Sequence, residues 1–300
     1  MPSVSQDVLK KYIQAGKIAA EARDFGTRNV RAGGSSLELA NAVEGLIRER
    51  GGECAFPVNI GVNDVAAHYT PSKSNDLRFR DGDVVKIDVG AHVDGYPADT
   101  AATVEIGTRS HADLIRSAQD ALSMCIEMVR PGTPISAMGA TVARAIGSAG
   151  FKPVQNLTGH SMERYNLHAG LSIPNIESKD KAVVEEGMVL AIEPFASMGA
   201  GKVGGKGRGN IFRIIRERKA HQDIADLFSK MQSAFGPFPF AGRWCERLHP
   251  DPEPLVAKMY RLGMIMSYPV LTDVGEGVVA QAEHSVIVTS DGCRVITGSH

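Results

Sequence analysis

The chain has 300 residues, 43% of them apolar, with 33 Lys and Arg set against 34 Asp and Glu. That size and balance describe a globular protein able to fill a sizeable core, and they exclude a global field directed at DNA, RNA or an anionic membrane. No window approaches the ~20 apolar residues of a membrane span. The N-terminus has no basic-then-apolar leader and Cys54, Cys125, Cys245 and Cys293 form no CxxC pair, so a cytoplasmic protein with reduced thiols is expected.

Apolar residues at Val8, Tyr12, Ala15, Ile18, Ala19, Ala22 and Phe25 predict a helix over 7–31, stopped by Gly33-Gly34; a Ser-rich cap then opens a second helix over 37–50. The segment GECAFPVNIGVNDVAAHYTP reads as strand-like and runs to His68. Residues 83–104, DVVKIDVGAHVDGYPADTAATV, read as a β-hairpin turning at His92-Val93-Asp94-Gly95. Folded symmetrically about that turn, the hairpin sets Asp88 opposite Asp99. Like charges so placed are destabilising unless a cation lies between them.

The order then repeats. Helices are predicted over 112–130 and 135–149, broken by Pro131-Gly132 and Gly150, and followed by FKPVQNLTGHSMERYNLHAG with His168 in the place of His68. EGMVLAIEPFA echoes DGDVVKIDVGA, so Glu193 falls six residues past Gly187 as Asp88 falls six past Gly82. Such a repeat predicts two similar halves about a pseudo-two-fold axis, with equivalent residues converging on it. Tyr12, Phe25, Met124, Met128 and Met138 sit at helical spacing and are expected in the core.

Between the second carboxylate and the end of the chain the pattern changes. Gly199, Gly201, Gly204, Gly205, Gly207 and Gly209 predict an irregular loop without a P-loop frame. With Arg213, Arg216, Arg218 and Lys219 it forms a basic stretch that reads as a solvated face, RNA contact being the alternative. Amphipathic helices over 221–235 and 254–262, with aromatic residues between them, mark a helical subdomain inserted over 205–266. A long strand over 278–289 then carries Glu283, a charge that is costly among apolar neighbours unless paired or ligated.

Asp88, Asp99, His160, Glu193 and Glu283 are thus the acidic and imidazole groups set in apolar or Gly-flanked strands. Together they are too much negative charge to bury without divalent cations. Oxygen-rich coordination with one His suits Mn, Fe or Co better than a Cys-rich zinc site does, and a pair of such ions supplies a hydroxide nucleophile at neutral pH. His68 and His168 are not needed as ligands and are left to act on a substrate. His92, His111, His221, His249, His284 and His300 have surface or packing explanations and are assigned no role.

The segments AFPVNIGVNDVAAHYTP, KIDVGAHVDGYPADTA, NLTGHSMERYNLHAG, AIEPFAS and YPVLTDVGEGVVAQAEHSVIV run in order over residues 55 to 289. In them the chain resembles the type II methionine aminopeptidases in their short, archaeal-like form. The resemblance implies an α+β pita-bread fold in which the insertion is a winged-helix-like subdomain of a single catalytic domain. It implies two divalent metal ions, Co, Mn, Fe or Zn, with Asp88 on one, Asp99 and Glu283 bridging both, and His160 and Glu193 completing the second. Glu193 would also accept a proton from the bridging water. His68 would contact the scissile amide nitrogen, His168 the developing oxyanion, and Phe56, Leu167 and Tyr268 would line the methionine pocket. The pocket wall drawn from residues 199–213 is not aligned.

The activity so implied is removal of the initiator methionine from nascent chains whose second residue is small, by a monomer. Two other functions compete with it. A proline-directed peptidase such as prolidase or aminopeptidase P shares the fold and ligand set, but those enzymes usually carry a further N-terminal domain. A non-catalytic homologue would use the basic stretch to hold RNA or the ribosome; ribosome contact also stands as a secondary property of an active enzyme.

Overall fold

The structure, a computed structural model, describes residues 5–298; His300 lies outside them. Helix α1 (Gln6–Asn29) starts where Ser5 Oγ accepts the Val8 N–H, and it buries Tyr12, Ala15, Ile18, Ala19 and Ala22. Helix α2 (Ser36–Glu49) starts the same way, with Ser35 Oγ accepting from Glu38 N at 3.0 Å, and buries Leu39, Ala40, Val43 and Ile47. These helices share one core with the strand Val84–Val93. That strand pairs with Tyr96–Glu105 along its length, and with Glu53–Cys54 and Asn59–Val62, always antiparallel.

The second half repeats the plan. Helices α3 (Ala112–Glu127) and α4 (Ile135–Ser148) share a second core with a five-stranded sheet ordered Cys293–Val295, His284–Val288, Val189–Ile192, Thr158–Met162 and Ser172–Pro174. Between the second half's two carboxylate-bearing segments, at Glu193 and Glu283, lies the insertion. Its helices α5 (Gln222–Phe235) and α6 (Glu253–Arg261) bury Leu227, Phe228 and Met259 with Phe212 and Phe240 in a core of their own. Among the described residues all four cysteines are free thiols, and no helix is long and apolar enough to cross a membrane.

Several expectations need correction. The hairpin turns at Asp94 and Gly95, with φ of 51° and 84°, so Asp88 faces Ala101 and Asp99 faces Gly90. A two-residue turn of this type needs positive φ at both central positions, which Asp-Gly supplies and the β-branched Val93 resists. The error is two residues, an even number, so both carboxylates still project from one face as diagonal neighbours.

The glycine-rich segment is irregular only over 198–202, which holds Gly199 and Gly201; Gly204 to Gly209 lie in a strand. That strand, Val203–Ile214, is paired with Ile265–Asp273 and bulged between Lys206 and Ile211. Glycine is there for space: a Cβ on Gly209 would lie 2.3 Å from the Tyr268 carbonyl oxygen. The basic residues alongside it, including Lys206, Arg208, Arg213 and Arg216, are exposed, as a solvated face requires.

The long strand expected over 278–289 is two strands, Val279–Gln281 and His284–Val288, with Glu283 in the gap. The facing chain breaks likewise, into Val189–Ile192 and Phe195–Ser197, because Pro194 has no N–H to give the ladder. The strand-like stretch before His68 is also divided, into Glu53–Cys54, Asn59–Val62 and Val65–Ala67. Of the expected core methionines, Met138 is fully buried but Met124 faces outward and is 44% exposed.

Candidate active site

The two halves meet where the strand Tyr96–Glu105 runs beside residues 279–288. Ala101 and Glu283 bridge backbone to backbone, and hydroxyls fill the rest of the seam. Thr100 Oγ1 donates to the Glu283 carbonyl at 2.8 Å and Thr103 Oγ1 to that of Gln281 at 2.7 Å. Ser285 Oγ accepts from Asp99 N at 2.8 Å and donates to Asp99 O at 2.7 Å. Small β-branched and hydroxyl side chains let the strands approach while satisfying the buried backbone groups between them.

That seam sets the acids face to face. On either side of the gap the ladder keeps one register, Ile192 opposite His284 and Phe195 opposite Gln281, which sets Glu193 opposite Glu283. His160, on the strand Thr158–Met162, brings its Nε2 to 3.5 Å from Asp99 Oδ2 and 3.8 Å from Glu193 Oε1. One ligand atom each of Asp99, His160 and Glu283 lies within 4.8 Å of the others. Asp88 closes the group from the neighbouring hairpin strand, next to Ala101 in register.

Burial pushes the Asp88, Glu193 and Glu283 carboxyls well above their ordinary range, and the neighbouring Asp99 pushes them further. Asp99 itself is pushed up to about 7 by burial. The same burial pushes His160 down to about 4, so its imidazole is neutral and able to ligate. Four carboxylates outnumber the donors around them: Gln281 Nε2 reaches Glu283 Oε2 at 3.4 Å, while Asp88 Oδ1 and Asp99 Oδ1 are buried with no partner among the described residues. Oxygen acceptors in excess, with orphaned atoms and a neutral imidazole, fit divalent cations.

Two imidazoles flank this group. His68 adopts a left-handed φ of 63°, rare for a residue with a side chain, and packs edge-on against Tyr268 at 5.4 Å between ring centroids. Burial pushes it down to about 4, and its Nδ1 has no partner among the described residues. His168 lies over His160 at 4.3 Å and is likewise lowered, first by burial and then by that neighbour. Both rings are therefore neutral near pH 7, each with one N–H to donate.

Phe56, His68, Asp88, Asp99, His160, Leu167, His168, Glu193, Tyr268 and Glu283 all line a single cavity of about 340 Å³. Every site residue expected from sequence is thus brought to it. Among the described residues, the histidines assigned no role lie outside its lining: His284 turns away to Thr297 Oγ1 at 2.9 Å, and His92 stacks on Phe238 at 4.6 Å.

Sequence reasoning missed Asn59, Ile211 and Pro239, which also line the cavity. Asn59 pairs directly with Asp88. Ile211 belongs to the glycine-rich strand, where the run Ile211-Phe212 was the available signal. Pro239 comes from the insertion, and nothing local marks it. Gly90 contributes by having no side chain: a Cβ there would sit 2.2 Å from the Phe56 ring.

Two helix-backed half-sheets closing on buried carboxylates and an imidazole are the architecture of a metallopeptidase, and comparison with known proteins agrees. A profile of metallopeptidase family M24 matches residues 10–290, and the chain belongs to that family, which binds divalent metal. The methionine aminopeptidase of Methanothermobacter thermautotrophicus is 44% identical over 297 residues, covering 97% of this chain and 99% of its own. That of Archaeoglobus fulgidus is 41% identical over 295 residues, covering 98% and 100%. Among solved structures, a thermophilic Arx1 superposes with a TM-score of 0.85 at 19% identity, covering 99% of this chain and 92% of its own, a likeness of fold alone.

Proposed function

We propose that this chain is a metal-dependent methionine aminopeptidase, removing the N-terminal methionine from nascent proteins whose second residue is small. The observation that carries the reading is the meeting of four carboxylates, Asp99 and Glu283 buried and Asp88 and Glu193 half-buried, with one imidazole beside an apolar slot, in a chain 41% and 44% identical to two methionine aminopeptidases along nearly its whole length.

Asp88, Asp99, His160, Glu193 and Glu283 would hold two divalent ions, which when bound polarise the substrate carbonyl and supply a nucleophile at neutral pH. Glu193 accepts a proton from the attacking water. His68 holds the scissile amide nitrogen. His168 donates its N–H to the substrate oxygen as negative charge gathers there, the stage at which a fixed donor helps most. Phe56, Leu167 and Tyr268, with Ile211, exclude water and fit an unbranched thioether side chain. The insertion over 205–266 is a subdomain of this single catalytic domain, and its Pro239 completes the pocket wall.

Assays of Met-Ala-Ser and Ala-Pro peptides with added Mn²⁺ or Co²⁺ test the reading. Cleavage of the methionyl peptide supports it. Cleavage of the Ala-Pro peptide alone makes the protein a proline-directed peptidase instead.

A further inference from the structure

A buried glutamate remote from the carboxylate cluster joins two walls of the cavity. Glu44 lies on the apolar face of α2 and is only 2% exposed. Its Oε1 accepts the Val58 N–H at 3.2 Å, just after Phe56 and Pro57 and next to Asn59. The same carboxylate accepts from Arg243 Nη2 and, at 2.7 Å, from Trp244 Nε1. Both belong to the insertion's short 3-10 turn Gly242–Arg247, a few residues past Pro239. Arg243 continues the network to Thr70 Oγ1 at 2.8 Å and the Pro71 carbonyl at 3.2 Å.

Phe56, Asn59 and Pro239 line the cavity, and Glu44 is the group to which the chain beside each is tied. A buried charge with these partners is held rigidly, because losing any one leaves a desolvated group unpaired. The apolar side chains of Phe56 and Pro239 have no polar atoms by which to be fixed themselves. Glu44 bonds to Val58, Arg243 and Trp244 rather than to the carboxylate cluster or the flanking imidazoles.

We propose that Glu44 is the positioning residue for the pocket that takes the substrate's N-terminal side chain. It clamps the Phe56–Asn59 segment to the insertion, so that pocket width, and with it the preference for an unbranched side chain, depends on the insertion being docked. The inference rests on the aminopeptidase reading, which the wild-type assay tests separately.

The test is steady-state kinetics of Mn²⁺-loaded protein on Met-Ala-Ser and Leu-Ala-Ser, well below the melting temperature. Glu44→Gln, which keeps the acceptor shape but not the charge, is expected to raise KM for the methionyl peptide about tenfold with kcat within about threefold, and to lower the Met-over-Leu preference. Trp244→Phe removes one donor only, and is expected to move KM and preference in the same direction by about twofold to threefold. Should Glu44→Gln fail to fold, Trp244→Phe decides. Folded variants with wild-type KM and preference, or with a loss confined to kcat, would overturn the inference. A wild-type protein inactive on both peptides would instead overturn the aminopeptidase reading.

Discussion

The backbone N–H of Glu283 donates to the carbonyl of Ala101 at 3.0 Å, and Ala101 N returns the bond to Glu283 O at 3.4 Å. This one bridge ties the second half's acidic gap to the first half's hairpin. Ala101 faces Asp88 on its other side, so a carboxylate from each half is set by the same residue. Asp88, Asp99 and His160 are thus carried within strands and Glu283 on the bridge itself, where packing fixes the backbone, while Glu193 sits in the break opposite Glu283.

Asp99 sits at the centre of that arrangement, within reach of His160, and loses half its ligating capacity as the amide. Asp99→Asn is expected to reduce kcat/KM on Met-Ala-Ser by about 10³-fold and to weaken Mn²⁺ binding in calorimetry. The variant should remain folded, since the change removes charge from a crowded acidic group. Retained activity would remove Asp99 from the ligand set.

In the proposed mechanism His168 serves the substrate and is not a metal ligand. His168→Ala is expected to lower kcat by about 10² to 10³-fold while leaving Mn²⁺ affinity within about twofold of wild type. Equal losses in metal affinity and kcat would show that its contact with His160, and not a bond to substrate, is what matters.

The carboxylates make stability depend on pH in a defined sense. Burial raises the folded-state values of Asp88, Asp99, Glu193 and Glu283 above their unfolded ones, Asp99 to about 7. Their contribution is therefore complete in acid, below the unfolded values, and is lost as pH rises through the folded values. The lowered histidines His68, His160 and His168 act in the opposite sense, losing stability as pH falls through their unfolded values. The carboxylate contribution is therefore isolated by comparison: metal-free Asp99→Asn should gain more melting temperature over wild type at pH 8 than at pH 5.5. For each of the two ions, Mn²⁺ at 100 times that site's Kd should restore about 2.7 kcal/mol at pH 8, a rise of roughly 5 °C per site, and much less at pH 5.5, where protons compete. Scanning calorimetry with and without chelator measures both; an Asp99→Asn gain no larger at pH 8 than at pH 5.5 in the metal-free protein contradicts the assignment.

Gly90 gives the pocket its room. Gly90→Ala sets a methyl group against the Phe56 ring, which must move or strain at a cost of about 1–3 kcal/mol. A fall in melting temperature together with a raised KM for methionyl peptides is expected. A raised KM without loss of stability would mean that Phe56 swings aside freely.

How far the sequence foretold this structure differs from one kind of element to the next. Helices α1 to α6 were legible because a 3.6-residue period and Ser or Gly boundaries are local properties. The Asp hairpin was legible as a hairpin, but its register was not: that depended on which two residues accept positive φ, and only the even size of the error kept both acids on one face. The glycines of 203–214 looked like flexibility because the strand that crowds them, Tyr268 and Pro269, lies some sixty residues away. Pro239 and Glu44 escaped notice for the same reason, although a glutamate amid the apolar stripe Leu39, Ala40, Val43 and Ile47 was a readable anomaly. The five acidic and imidazole groups stood out by being set in apolar or Gly-flanked strands, and His68 and His168 by their matching places in the repeat. Phe56, Leu167 and Tyr268 came only through the family's motifs, since no local pattern reports that apolar groups so far apart in sequence will converge.

Everything proposed for the chemistry requires Asp88, Asp99, His160, Glu193 and Glu283 to form one site for divalent metal. Crystals soaked in Mn²⁺ and measured at the manganese absorption edge test this most directly. Two anomalous peaks enclosed by those five side chains are predicted. Peaks elsewhere, or no peak between them at saturating Mn²⁺, would contradict it.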